Sequence, residues 1–167
     1  MADTLTPQDA EHALWGHLEK SRTGMLGLDR PGEHLQPMTA FREAESGSIW
    51  FFTRDDTDLA RAVAAEPGAP AAFAYASKDQ DLWASIHGRL SIHNDPERIR
   101  RWWNPVVAAW YPEGREDPHL TLLRLDAGEG RIWVSTKGPI RFGLEVLKAN
   151  VTGELPDAGG RADVRLD

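Results

Sequence analysis

Cysteine is absent from the chain, and with it go disulfides, thiolate nucleophiles and thiolate-bound structural zinc. No stretch reaches the roughly 18 consecutive apolar residues that a membrane-spanning helix requires. The opening MADTLTPQDA has neither the basic start nor the apolar core of a secretory signal, so the cytoplasm is the expected compartment. Positive charge is in short supply. Lys and Arg number 19 against 26 Asp and Glu, giving a net charge of −7 and a pI near 5.3, which argues against a nucleic-acid surface built on clustered cations. The densest basic run, Arg98, Arg100 and Arg101, is expected to form the solvated face of a helix beginning at Asp95. Glycine-rich phosphate loops of the Walker and dinucleotide types are missing, and no nucleophile-elbow pattern flanks Ser85, Ser91 or Ser135. Nucleoside triphosphatases and serine hydrolases are therefore not expected. The histidines do not cluster: His87 and His93, on one strand, lie about 20 Å apart at about 3.3 Å per residue, and His12 and His17 point apart on a helix. No metal site is expected.

What the chain does contain suits one globular domain: 167 residues, 41% of them hydrophobic, with evenly spread charge. The domain is expected to cover residues 1–155, and residues 156–167 to form a loosely held C-terminal tail. Its organising stretch is residues 47–63, GSIWFFTRDDTDLARAV. Ile49, Trp50, Phe51 and Phe52 are β-branched or aromatic and suit a largely buried strand ended by Thr53. Leu59, Ala60, Val63 and Ala64 then recur at helical spacing. Thr57 is the natural N-cap, so a hydroxyl and several unpaired backbone N–H groups stand at the mouth of a strand-to-helix turn, a place where a phosphate can be held.

Taken in order, Thr6, Pro7 and Asp9 mark the start of a helix whose apolar face carries Ala10, Leu14 and Leu18. Residues 24–28 and 35–41 read as strands around the turn Asp29-Arg30-Pro31-Gly32. Pro37 removes a ladder donor, which predicts a bulge or an edge there and leaves main-chain groups for a ligand. Residues 70–76, with their many alanines, form a strand that must be packed by something large, for which the tryptophans are the obvious supply. Residues 82–93 form a long strand bent at Gly88. A helix follows from Asp95, and residues 119–125 and 131–135 form a hairpin around Ala127-Gly128-Glu129-Gly130. Gly138-Pro139 opens a last helix to about Asn150. The fold class is mainly β (α+β), a barrel with helices at its ends and side.

Four motifs in order, HLQPMTAF at 34–41, GSIWFFT at 47–53, WNPVVAAWYPEGREDPHLTLLRLD at 103–126 and GRIWVST at 130–136, carry a resemblance over about residues 8–155. The series resembles the pyridoxamine 5′-phosphate oxidase-like split barrels, in their bacterial general stress protein branch, of the general stress protein 26 type. The resemblance implies a six- to seven-stranded antiparallel split β-barrel with flanking helices, homodimeric, with flavin mononucleotide (FMN) at the subunit interface. It implies cofactor-binding positions at Gln36, Pro37, Met38, Thr39, Trp50, Phe52, Thr53, Thr57, Arg61, Trp103 and Trp110. Met38, Thr39, Phe52 and Thr53 fall on the strands that carry the ring and ribityl chain, and residues 103–111 lie where a partner subunit closes the slot. The chain departs from the pattern at the phosphate: Gln36 replaces a usual basic residue, and Asp58 and Leu59 replace a usual Arg-Lys pair, with Asp55 and Asp56 adding negative charge. Arg54 and Arg61 are the available substitutes. Three functions follow as alternatives: an FMN-dependent oxidoreductase acting on a small molecule, a flavin or small-ligand binding protein without turnover, and a degenerate barrel that has lost FMN. Pyridoxamine 5′-phosphate oxidase activity itself is not expected, because ADVRLD stands where that enzyme carries a basic, substrate-reading segment.

Overall fold

The computed structural model describes residues 5–135, 139–155 and 159–167, with the backbone alone for 139–145. Helix α1 (Pro7–Lys20) is capped as its sequence predicts, the Thr6 hydroxyl accepting from Asp9 N–H. Strands β1 (Thr23–Leu28), β2 (Gln36–Arg42) and β3 (Ile49–Arg54) follow, then helix α2 (Asp58–Ala65), strands β4 (Ala69–Ala76) and β5 (Leu82–Ile92), and the short helices α3 (Pro96–Trp102) and α4 (Pro105–Ala108). A 3-10 turn at Gly114–Glu116, strand β6 (Leu120–Val134), helix α5 (Pro139–Thr152) and strand β7 (Gly160–Arg165) complete the chain. No described helix is long and apolar enough to cross a membrane.

The strands run in the order β3-β2-β1-β4-β5-β6-β7, every pair antiparallel, and an additional β3–β6 pairing closes the first six into a barrel with β7 outside on β6. Side chains alternate across each strand, so Leu26, Phe51, Phe73, Ile86, Leu123 and Ile132 fill the interior, sealed by α1 through Leu14 and Leu18. On β3 the opposite face is buried too. Trp50 and Phe52 join Phe41, Leu122, Ile99, Val107 and Tyr111 in a second core beneath α3 and α4. Burial on both faces explains why β3 reads as an unbroken apolar run.

Four expectations change. Residues 120–134 are one continuous strand instead of a hairpin: β6 pairs with β3 over Leu120–Leu125 and with β7 over Glu129–Val134, while β5 accompanies both halves. The glycines there serve the bend at which the partner changes. The register shifts between His87 and Gly88, where a Cβ on Gly88 would stand 2.2 Å from the Asp126 carbonyl oxygen. The tail expected to be loosely held contains β7, fixed by its ladder to β6 with Ala162, Val164 and Leu166 buried. Asp95 does cap a helix, but the chain breaks at Trp103, and Asn104 caps a separate α4 through Val106 and Val107 N–H. Of the basic run, Arg98 is clamped by Glu43 and Asp95 and Arg101 faces Glu43, which leaves Arg100 as the one without an ion pair among the described residues. The alanine-rich β4 has bulk against its inner face: Phe51 lies 5.3 Å from Phe73, and Trp15 belongs to the same buried cluster as Ala69 and Ala71.

Candidate functional site

The barrel splits between β2 and β3. Their register holds for Ala40, Phe41 and Arg42 against Phe51, Trp50 and Ile49, then stops, so Gln36–Thr39 has no β3 partner. The Ala40 N–H donates to the Arg22 carbonyl, and ladder alternation therefore turns the main-chain groups of Pro37 and Thr39 away from β1, toward the gap. Pro37 offers only a carbonyl there. This is the edge that proline in a strand predicts.

A cavity of about 840 Å³ opens in the gap, roofed by α3 and α4. It brings together nine of the eleven positions named above: Gln36, Pro37, Met38 and Thr39 from β2, Phe52 and Thr53 from β3, Thr57 before α2, and Trp103 and Trp110. Trp50 and Arg61 are not among its walls. Trp50 shares the β3 face of Phe52 but lies deeper, 2% exposed, packed 5.9 Å from Trp102 with the Arg98 guanidinium 4.8 Å from its ring centroid. Arg61 lies on the exposed side of α2. The 103–111 segment, expected to close a partner's slot, lines the cavity of its own chain through Trp103, Val106, Val107, Trp110 and Tyr111.

At the α2 end the Thr57 hydroxyl accepts from Ala60 N–H at 3.2 Å, donates to the Arg54 carbonyl at 2.9 Å and lies 3.3 Å from the Thr53 hydroxyl. Tyr111, 3% exposed, donates to the Thr53 carbonyl at 2.5 Å, and burial pushes its phenol well above the ordinary value. The carboxylates that seemed to crowd this end face elsewhere. Asp56 is held by Arg54 at 2.9 Å, Asp55 by His119 at 2.7 Å, and neither these nor Asp58 lines the cavity. Asp55, Asp56 and His119 do lie close enough to share an ion, but all three are exposed and already paired in this way.

The opposite wall is set by Glu43, whose side chain is 7% exposed. It receives Arg98 at 2.8 Å and the Ser46 hydroxyl at 2.8 Å, and lies 3.6 Å from Arg101. Burial opposes its ionisation, but the Ser46 and Arg98 hydrogen bonds prevail and hold it below the ordinary carboxylate value. Residue reasoning missed Arg22, Phe41, Arg101, Trp102 and Asn104 as cavity walls. No local pattern marks Arg22; it enters only because β1 and β2 are neighbours in the barrel.

A closed six-stranded antiparallel barrel split at one seam, with an aromatic cavity in the split, defines the class of split barrels. The profile of the family described as pyridoxamine 5′-phosphate oxidase like matches residues 9–157, and the chain belongs to that family. Among solved structures it is similar to one named a candidate general stress protein 26, from Jannaschia sp. CCS1, at 37% identity and a TM-score of 0.79, covering 95% of this chain and 99% of that one. It is similar also to the general stress FMN/FAD binding protein of Xanthomonas citri, at 44% identity and a TM-score of 0.72, covering 78% and 92%. Among curated proteins, Protein bli-3 of Neurospora crassa is 23% identical over 163 residues, 91% of this chain and 78% of that protein.

Proposed function

We propose that the chain binds FMN in the β2–β3 split and, as a homodimer, serves as an FMN-dependent oxidoreductase of the general stress type acting on a small molecule. The observation that carries the reading is the split itself: a seam whose unpaired main-chain groups face an aromatic cavity with a helix N-terminus at one end. The lining fits what FMN demands. Met38, Phe52, Trp103 and Trp110 offer an apolar slot for the ring, the Pro37 and Thr39 backbone offers polar groups for its pyrimidine edge, and Thr53, Thr57 and the start of α2 offer donors for the phosphate, with Arg54 beside them. When bound, the flavin supplies the electron transfer; the chain positions the ring, shields it and neutralises its phosphate. Asp55 and Asp56 being paired with His119 and Arg54 removes most of the like-charge objection.

Among the described residues the cavity lining contains no His, Asp, Glu, Lys or Cys, so none of these side chains exchanges protons near neutral pH, Tyr111 being pushed upward by burial. That observation favours the second reading, flavin binding without efficient turnover, over any mechanism with a protein acid or base. The dimer reading is supported by an uncovered outer face: Trp83 and Trp133 are cross-strand partners, 40% and 39% exposed, beside the small side chains of β4. A visible absorption spectrum of the purified protein tests the proposal. A flavin band that travels with the protein supports it; a colourless protein that stays colourless after incubation with FMN refutes it.

A further inference from the structure

Three arginines line the cavity, and they differ in what holds them. Arg54 is gripped by Asp56 through Nε at 3.1 Å and Nη2 at 2.9 Å. Arg101 reaches Glu43 and Glu97 only at 3.6 and 3.7 Å. Arg22 forms no ion pair among the described residues; its guanidinium lies 5.1 Å over the Phe41 ring. Phe41 is 5.8 Å from Trp102 with the ring planes 30° apart, and Trp102 is 6.0 Å from the Arg101 guanidinium. These four side chains form one continuous wall, ordered cation, ring, ring, cation. It is not the Thr53–Thr57 end. Phe52 stands edge-on 5.5 Å from Phe41, with Tyr111 6.4 Å beyond it, and Tyr111 carries the bond to the Thr53 carbonyl.

We propose that this wall is a second subsite, one that takes a small planar monoanion, an aromatic or conjugated carboxylate, as the partner molecule of the proposed flavin. Its place beside a flavin rests on the reading above; its binding of the anion does not. The class follows from the wall's chemistry. Arg22 is an exposed residue at the rim of the cavity, without a counterion among the described residues, and its planar guanidinium fork matches a carboxylate. Arg98 and Arg101 share Glu43, so Arg22 is the one cation left over in this wall, which suits a single negative charge better than a phosphate dianion. Phe41 and Trp102, packed on each other with ring planes 30° apart, give this wall a continuous aromatic surface on which a flat molecule can lie.

Benzoate serves as the probe, with benzamide as its neutral counterpart and cyclohexanecarboxylate as its non-planar one, each titrated against the intact protein by quenching of the cavity tryptophans. Benzoate should quench saturably, and both controls should bind at least about tenfold more weakly. Arg22→Gln should weaken benzoate about tenfold, as expected for a lost charged hydrogen bond, with Arg22→Lys in between, while the dissociation constant for FMN changes less than about twofold. Absence of saturable benzoate binding, equal binding of benzamide, or an Arg22→Gln variant that loses FMN affinity as much as benzoate affinity overturns the proposal, the last by giving Arg22 to the flavin phosphate. A protein that binds benzoate but no flavin keeps this subsite and refutes the flavin reading, and one that binds flavin but no benzoate does the reverse.

Discussion

Thr57 carries two roles that a pair of substitutions separates. As N-cap of α2 its hydroxyl satisfies Ala60 N–H, and in the proposed complex the same hydroxyl faces the FMN phosphate. Thr57→Ala removes both. Loss of the cap costs about 1 kcal/mol, which for a chain of this size lowers Tm by about 3 °C. Binding turns the hydroxyl's one proton from the Arg54 carbonyl to the phosphate; loss of that charged hydrogen bond costs about 1.5 kcal/mol, so FMN affinity falls about tenfold. Thr57→Asp keeps the cap, since aspartate caps at least as well as threonine, and the protein should melt near the wild-type temperature. It also places a carboxylate against the phosphate. Two charges 4 Å apart near a protein surface repel by about 4 kcal/mol before solvent and salt screening, so a net loss of about 1–3 kcal/mol, about fivefold to somewhat over a hundredfold in Kd, is the expected result. Riboflavin, which has no phosphate, should bind both variants as it binds the unchanged protein. Thermal melts alongside flavin fluorescence titrations with both ligands, on both variants and the unchanged protein, separate the two roles. Thr57→Asp with an unchanged FMN Kd, or with equal losses for FMN and riboflavin, would refute the placement of the phosphate at α2.

Light scattering should give a mass near twice 18.6 kDa, and Trp83→Glu with Trp133→Glu should reduce it to the single-chain value; a dimer that survives both charges would mean that this face is not the interface. His119 has its pKa raised, first by its hydrogen bond to Asp55 and then by that group's charge, so its contribution to stability is complete below the unfolded value near 6.5 and disappears as pH rises through the raised folded value. His119→Asn should therefore lower Tm at pH 5.5 and leave it unchanged at pH 9, and an equal loss at both would assign the effect to packing. Glu43→Gln leaves Arg98 with Asp95 alone and loosens the Arg101 wall; a loss of about 1–3 kcal/mol by urea denaturation is expected, whereas no loss would show that the Ser46 and Arg98 bonds only balance the cost of burying the carboxylate.

Where local chemistry decides the structure, the residues were sufficient to read it. The Thr6, Thr57 and Asp95 caps, the edge at Pro37 and the bend at Gly88 each follow from one side chain and its neighbours. Where partners distant in sequence decide, the pattern misleads. Gly128 and Gly130 look like a turn, but β5 runs alongside both halves of β6 and makes an extended path cheaper than a reversal. The polar alternation of GRADVR suits an outer strand with one wet face, and nothing within it says that β6 has a free edge to receive it. The site divides in the same way. Residues 36–39 and 52–57 flank the seam and are found from the motif, whereas Trp50 and Phe52 look equivalent in sequence although only Phe52 faces the cavity. Leu59, where the family resemblance leads one to expect a cation, is 6% exposed and belongs to the barrel core, so a charge placed there would compete with packing.

The central claim is that the β2–β3 split holds a flavin, and the direct test is an equilibrium titration of the flavin-free protein with FMN, following tryptophan quenching and flavin absorbance together. The account predicts saturation at one FMN per chain, quenching through Trp103 and Trp110, and loss of both signals in Phe52→Asp while the barrel still melts cooperatively. Failure of FMN to quench at any concentration, or a Phe52→Asp protein that binds FMN as the unchanged chain does, would contradict it.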